Sequence, residues 1–346
     1  MTATGDAVGA VDTQALGDWL AAHAPGYAGP LTIDLLAGGR SNLTYRLADA
    51  AGNRYALRRP PLGDLVGSAH DVGREYLIVS SLRGTGVPVA PVVGSCPDPG
   101  VIGAPFFVMR FVDGHALSTP QSADVLTPAA RVRAGEQLAE MLTRLHAVDL
   151  DATGLAQLHR PGSFVERQLR RLMRQQDDTM LADFPLLQQV HDVLTAAIPA
   201  ETGTGLLHGD FKIGNMLLAD DGTINAVLDW ELASVGDPLA DVGWLVASWA
   251  DDGDGTWLVP PPTTAPGFCT RDELKELYAA ASGRDVRFVD YYVAFAFWRW
   301  SCINTGTRRR YLSGAMPGRT LDVRALEAQI TWQLERASSL LAGLAR

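Results

Sequence analysis

Residues 206–218, LLHGDFKIGNMLL, constrain this chain more than any other stretch. Two apolar pairs, Leu206-Leu207 and Leu217-Leu218, bracket a histidine, an aspartate, a lysine and an asparagine. Segments ready for burial on both sides predict short tethers that hold His208, Asp210 and Asn215 rigidly in a loop. Fourteen residues after Asn215, Asp229 ends the apolar run of INAVLDWE at a predicted strand end. Asn215 and Asp229 are hard oxygen ligands of the type magnesium takes, and Asp210 is a further carboxylate. Phosphoryl transfer needs such a set: one carboxylate to accept or orient a hydroxyl proton, and oxygens to hold magnesium against nucleotide phosphates.

The rest of the chain has to frame that loop. Its 346 residues exceed one ordinary core and predict two units. Up to residue 112, β-type runs at 31–39, 43–49, 54–59, 87–94 and 106–112 are separated by turn signals. Residues 70–84 read instead as one helix closed by Gly84, with Val72, Val79 and Leu82 on an inward stripe that also carries Glu75. A carboxylate there is costly unless a cation meets it, and Arg58, ending a strand, is the expected partner. From residue 113 the pattern is mainly helical. Helices are expected over 128–150, 163–176, 184–198, about 288–312 and about 320–344, with Val132, Leu138, Leu142 and Leu145 in phase on the first. Asp237 before Pro238 reads as a helix N-cap. His146, His191 and the tryptophans of FWRW (297–300) read as packing residues, and 251–267 as a long loop.

Composition narrows the partners. A net charge of -10, from 29 basic and 39 acidic residues, argues against nucleic acid or an anionic membrane as a general partner. Cys96, Cys269 and Cys302 are too scattered to signal a disulfide framework or a zinc site. The sequence shows no secretory-type start and no apolar run of about 18 residues, so a cytoplasmic protein acting on a small molecule is expected. Nothing in the sequence indicates an oligomeric state.

HGDFKIGN resembles the HxDxxxxN motif of the protein-kinase-like superfamily, in its aminoglycoside phosphotransferase/choline kinase branch, and LDWE stands where protein kinases carry D-F-G. The resemblance runs over nearly the whole chain: LLAGGRSNLTYRL resembles the nucleotide loop, YALRRP the lysine strand and FVMRFVDG the hinge. It implies an α+β, bilobal fold, with a small antiparallel-sheet lobe carrying one main helix over 1–112 and a large, mainly helical catalytic and acceptor-binding lobe over 113–346. It further implies ATP and Mg2+ as cofactors, Asp210 as base, and Asn215 and Asp229 as magnesium ligands. Gly38, Gly39, Arg40, Ser41 and Asn42 would cover the phosphates, and Arg58 would contact them while paired with Glu75. The backbones of Arg110 and Val112 would face adenine, His208 would brace the catalytic loop, and a carboxylate such as Asp241 would support it. Lys212 stands where an ammonium can neutralise the transferred phosphoryl group; its bland alternative is a solvated loop lysine.

Two features depart from the family pattern. Arg58 replaces the usual lysine, which keeps a phosphate clamp but alters its reach. GGRSN lacks G-x-G-x-x-G spacing. The acceptor stays open between classes. A polycationic aminoglycoside would call for carboxylates such as those of DDGD (251–254), Asp272 and Glu273, whereas Arg308, Arg309 and Arg310 would suit an anionic acceptor or form a solvated helix face. LRRPP and RRRYLSG resemble the sub-branch fused to, or encoded with, acyl-CoA dehydrogenases, which implies a hydroxyacyl-CoA or similar hydroxylated metabolite as acceptor. A non-catalytic nucleotide-binding module is the alternative suggested by Arg58, although binding alone has no need for Asp210.

Overall fold

The computed structural model describes residues 11–37, 42–62, 71–251, 253–255, 257–316 and 320–344. Two compact units emerge, Met1–Asp113 with Asn225–Leu232, and Gly114–Ile224 with Ala233–Arg346. Residues 225–232 fall within the first unit. They join the first unit because the Val227 amide donates to Pro88 O at 2.8 Å and the Asn225 amide group to Asp113 O at 3.0 Å.

In the first unit, α1 (Thr13–His23) starts at Asp12, whose carboxylate accepts the Gln14 and Ala15 amides at 3.0 and 2.9 Å. This helix adds to the one expected from the sequence. Then come β1 (Thr32–Ala37), β2 (Leu43–Ala48), β3 (Arg54–Arg59), α2 (Val72–Ser81), β4 (Val92–Cys96) and β5 (Phe106–Arg110). The strands form an antiparallel sheet in the order β1-β2-β3-β5-β4. The strand expected over 87–94 begins only at Val92, since Pro88 and Pro91 have no amide hydrogen for a ladder.

Strand alternation decides which side of the sheet carries chemistry. Tyr45, Leu47, Tyr55, Leu57, Phe106 and Val108 face α1, where Leu16 and Leu20 complete a core. Thr44, Arg58 and Phe107 sit in register on the opposite face, against α2, where the Tyr76 and Phe107 rings lie 6.1 Å apart. Arg58 is thus aimed at α2 by parity alone.

The second unit is mainly helical: α3 (Pro128–His146), α4 (Phe164–Met173), α5 (Asp178–Asp183) and α6 (Leu186–Ala196) precede the strands β6 (Gly205–Leu207) and β7 (Met216–Leu218). β8 (Ile224–Val227) runs across the division, followed by β9 (Ser234–Gly236), α7 (Leu239–Ser248), α8 (Arg271–Ser282), α9 (Val289–Leu312) and α10 (Val323–Leu344). On α3, Leu138, Leu142 and Leu145 are buried as expected, but Val132 is exposed. Six residues before Leu138, it lies about 240° round the helix, and Ala130 and Ala134 fill the inner row instead. α9 is buried nearly all round from Tyr291 to Trp298. α7 approaches it so closely that a Cβ on Gly243 would lie 2.4 Å from the Tyr292 carbonyl carbon.

Among the described residues no helix is long and apolar enough to cross a membrane.

Candidate active site

The stretch 206–218 is tethered much as its apolar ends predict. β6 pairs antiparallel with β9, burying Leu206 and Leu207. At the other end Met216 and Leu218 point inward, and Leu217 is only half-buried because successive strand residues alternate sides. Leu218 also exchanges backbone hydrogen bonds with His115, at 2.7 and 3.0 Å.

The loop itself hangs on buried polar contacts. The Asp241 carboxylate accepts the His208 amide at 2.6 Å and the Gly209 amide at 2.9 Å. His208 is fully buried and its Nδ1 accepts the Asp210 amide at 3.2 Å, so a neutral ring carries its proton on Nε2. His208 and Asp241 thus brace the loop geometrically. Gly209 takes the left-handed backbone with φ 84°, and its carbonyl accepts from Arg299 Nη2 at 2.8 Å.

Around Asp210 four side chains converge. Oδ2 accepts Lys212 Nζ at 2.8 Å and Asn215 Nδ2 at 3.0 Å, while Oδ1 accepts Trp244 Nε1 at 2.7 Å. The Arg299 guanidinium lies 4.4 Å over the Trp244 ring. Burial pushes the Asp210 carboxyl up, but the Lys212 ammonium and the hydrogen bond from Asn215 outweigh it and hold the group below the usual carboxylate range. Asp210 is therefore an ionised acceptor at neutral pH. Asn215 donates both to this carboxylate and to Asp210 O at 2.8 Å, which fixes its amide with Oδ1 on the side away from Asp210.

In the first unit a second cluster forms on Arg58. Its Nε donates to Glu75 Oε2 at 2.7 Å, Nη2 to Asp229 Oδ1 at 2.6 Å and Nη1 to Thr44 Oγ1 at 3.3 Å, with Glu231 4.0 Å away. Glu75 is 3% exposed and Asn42 Nδ2 reaches the same Oε2 at 3.2 Å. Arg58 is thus the cation that the helix stripe demanded. Burial pulls the guanidinium pKa down, and Glu75 and Asp229 more than reverse it. Among the described residues Asp229 is the only non-glycine with positive φ, 66°, a sparsely populated conformation of the kind that collects at functional sites. Arg58 takes Oδ1 of Asp229, and its hydrogen bond does not use Oδ2.

Other expected positions are less informative. Gly38, Gly39, Arg40 and Ser41 lie outside the described residues. The Arg110 amide already donates to Pro91 O at 2.7 Å, so only its carbonyl remains for an adenine edge, and its side chain lies 4.8 Å over the Tyr55 ring. Val112 follows the end of β5 without regular structure.

The profile of the phosphotransferase enzyme family, APH, matches residues 32–261. The chain belongs to this family. Mouse acyl-CoA dehydrogenase family member 10 is 32% identical over 293 residues, covering 83% of this chain and 27% of that protein. Such curated relatives carry the same domain within longer chains, and this chain spans about a quarter to two fifths of the length of those it matches. A solved structure from Ralstonia eutropha JMP134, described as a candidate aminoglycoside phosphotransferase, is 30% identical with TM-score 0.78, covering 95% of this chain and 99% of that one. An aminoglycoside phosphotransferase in ternary complex with AMP-PNP and hygromycin B shares the fold at TM-score 0.57 and 17% identity, over 95% of this chain and 98% of that one. The α+β, protein-kinase-like architecture expected from the motifs is therefore the fold of this chain.

Of the charges that the sequence offered to an acceptor, Asp251, Asp254, Asp272 and Glu273 on one side and Arg308 and Arg309 on the other are engaged within the chain's own structure. Arg271 binds both oxygens of Asp254 at 2.6 and 2.8 Å, in a pair almost wholly buried. Asp251 accepts the Arg271 amide at 3.2 Å, Asp272 meets Lys275 at 2.7 Å, and Glu273 closes a capping box with Thr270. Asp252 lies outside the described residues. Arg308 joins Glu327 at 2.6 Å and Asp183 at 2.8 Å, and Arg309 reaches Asp177 at 3.4 Å. These arginines pin α9 to α10 and α5.

Trp244 and Arg299 were not visible as site residues in the sequence. Nothing local marks them, since they stand 34 and about 90 positions from the loop they touch. His146, by contrast, is the packing residue expected: fully buried, with Nδ1 2.9 Å from the Tyr278 hydroxyl. Asp237 does cap α7 locally, accepting the Leu239 amide at 2.9 Å, and also binds Thr202 Oγ1 at 2.9 Å.

Proposed function

We propose that this phosphotransferase moves the γ-phosphoryl group of ATP to a hydroxyl of a small molecule, with Asp210 as the base. The observation that carries the reading is the Asp210 carboxylate, held ionised by Lys212 and Asn215 in a braced loop of a family member. Asp210 accepts or orients the proton of the attacking hydroxyl. Lys212 donates to the same carboxylate oxygen as Asn215 and is assigned to offsetting charge on the transferred group.

Asn215 and Asp229 are assigned to magnesium. The donor set fits: each keeps one hard oxygen while its other polar atom is fixed, by Asp210 and Arg58 respectively. Among the described residues there is no cluster of three or more His, Cys, Asp or Glu able to hold an ion. Magnesium usually keeps several waters and binds through one or two protein ligands plus substrate phosphates. Once bound it neutralises phosphate charge. Asn42 and Arg58, with Gly38 to Ser41, are assigned to the nucleotide phosphates, Glu75 to holding Arg58, and Arg110 and Val112 to the adenine edge.

For the acceptor we favour a hydroxyacyl-CoA or a similar hydroxylated metabolite over an aminoglycoside. The likeness to an acyl-CoA dehydrogenase family member supports it. Trp244, bonded to Asp210, continues into Trp300 and Trp257 at ring separations of 5.8 and 5.6 Å, an apolar row suited to an acyl chain. Mass spectrometry of Mg-ATP reactions with hydroxyacyl-CoAs, aminoglycosides and amino alcohols tests the choice. A mass gain of one phosphoryl group is expected on a hydroxyacyl-CoA, and a gain confined to aminoglycosides would overturn it.

A further inference from the structure

The two oxygens of Asp210 are not equivalent. Oδ2 accepts hydrogen bonds from both Lys212 and Asn215, at 2.8 and 3.0 Å, which uses the two lone pairs of a carboxylate oxygen. Oδ1 accepts one, from the indole Nε1 of Trp244 at 2.7 Å. Only Oδ1 keeps a lone pair for a further donor among the described residues, and its direction is set by where the indole hydrogen lies. An indole nitrogen is a donor only, so this contact cannot invert.

The indole is itself held. Trp244 lies in α7, a helix buried on nearly every side, and is 6% exposed. Arg299, on α9, stacks 4.4 Å over its ring and at the same time donates to Gly209 O, next to Asp210 in the chain. Arg299 is buried as well. One guanidinium therefore clamps the ring that orients the carboxylate to the backbone that carries it. Gly243, the neighbour of Trp244, packs against the Tyr292 backbone and fixes how far α7 stands from α9.

We infer that Trp244 is a positioning residue for the base, that Arg299 locks it in place, and that Asp210 Oδ1 is the oxygen that meets the acceptor hydroxyl. The inference rests on the assignment of Asp210 as base. A tryptophan in this role does two things at once: its N–H fixes the rotation of the carboxylate, and its ring keeps water from the far side of Oδ1. A carboxylate free to rotate would offer its lone pair in the wrong direction for part of the time, and misplacement by about 1 Å can cost about 100-fold in rate.

The test removes the N–H and keeps the shape. Trp244 is replaced by 3-benzothienylalanine, in which sulfur stands for the indole nitrogen, and Trp244→Phe serves as the genetically simple companion. The readout is phosphate release from Mg-ATP with water as the acceptor, in the wild type, both Trp244 variants and Asp210→Asn. The expected result for the benzothienyl protein is a fall in kcat of about 10-fold with KM for ATP within about twofold and thermal stability unchanged. A residue that only packs would leave kcat alone in the isosteric protein, and that result overturns the inference. If Asp210→Asn also leaves release unchanged, the base assignment itself falls, so the two failures are distinct. An independent readout is the indole N–H resonance that disappears in Trp244→Phe. It should shift upfield in Asp210→Asn, where a neutral amide replaces the carboxylate, and a resonance indifferent to that change overturns the inference whatever the kinetics.

Discussion

Replacing Glu75 by alanine probes the Arg58 cluster most sharply. In the wild type, Glu75 is 3% exposed and Arg58 12% exposed, and they meet at 2.7 Å. Removing one partner of a buried pair typically costs about 3–5 kcal/mol, because the other charge stays buried. Here Asp229, 2.6 Å from Nη2, still compensates Arg58, which points to the lower end. The Asn42 amide also loses its acceptor, about 1 kcal/mol more. Glu75→Ala is therefore expected to destabilise by about 3–4 kcal/mol, and Glu75→Gln, which keeps an acceptor for Nε but not the charge, by about 1–2 kcal/mol. Denaturant unfolding followed by circular dichroism measures both. Adding Arg58→Met to Glu75→Ala should recover part of the loss relative to Glu75→Ala, since it removes the buried guanidinium that has lost its Glu75 partner. A loss below about 0.5 kcal/mol for Glu75→Ala, or no recovery in the double variant, would refute the claim that a desolvated ion pair orders this cluster.

Three further outcomes follow from the second unit. Gly243→Ala puts a Cβ 2.4 Å from the Tyr292 carbonyl carbon and should cost about 1–3 kcal/mol, read as a fall in thermal midpoint of several degrees. Lys212→Ala should lower turnover more than ATP affinity, because its ammonium faces the Asp210 carboxylate; unchanged turnover in steady-state kinetics would make it a loop lysine only. Burial lowers the His146 pKa, so the folded state keeps a neutral ring while the unfolded ring protonates near pH 6.5. Stability from this group is present above the unfolded value and is lost as pH falls from there towards the folded one, at up to about 1.4 kcal/mol per pH unit. His146→Gln should flatten that part of the stability profile in urea titrations.

Much of this was readable in the sequence where the physics is local. The Asp210 loop is contiguous, so its chemistry and its apolar tethers appear together in 206–218. The pair of Arg58 and Glu75 was legible because each position follows from one periodicity, strand parity for the arginine and the helical stripe for the glutamate. Leu217 and Val132 were misplaced by the same kind of argument, one by reading an apolar pair where a strand alternates, the other by counting six residues as an inward step. α8 carries its start signal openly, Thr270 with Glu273 three positions on, while α1 starts at Asp12 and buries only Leu16, Gly17 and Leu20. The engagement of Asp254 by Arg271 and of Arg308 by Glu327 and Asp183 was not legible. Charge in a sequence does not say which opposite charge will find it, and the Arg308 partners come from α5 and α10. The same limit hid Trp244 and Arg299, whose roles arise only where α7 and α9 pack beside the loop.

The central claim is that Asp210 serves as base in phosphoryl transfer from Mg-ATP. Transfer of a labelled γ-phosphoryl group to the acceptor identified by mass spectrometry, compared between the wild type and Asp210→Asn, tests it most directly. The account predicts a loss of at least about 100-fold in kcat for Asp210→Asn, with Mg-ATP still raising the thermal midpoint of both proteins. Transfer that continues at the wild-type rate in Asp210→Asn would contradict it.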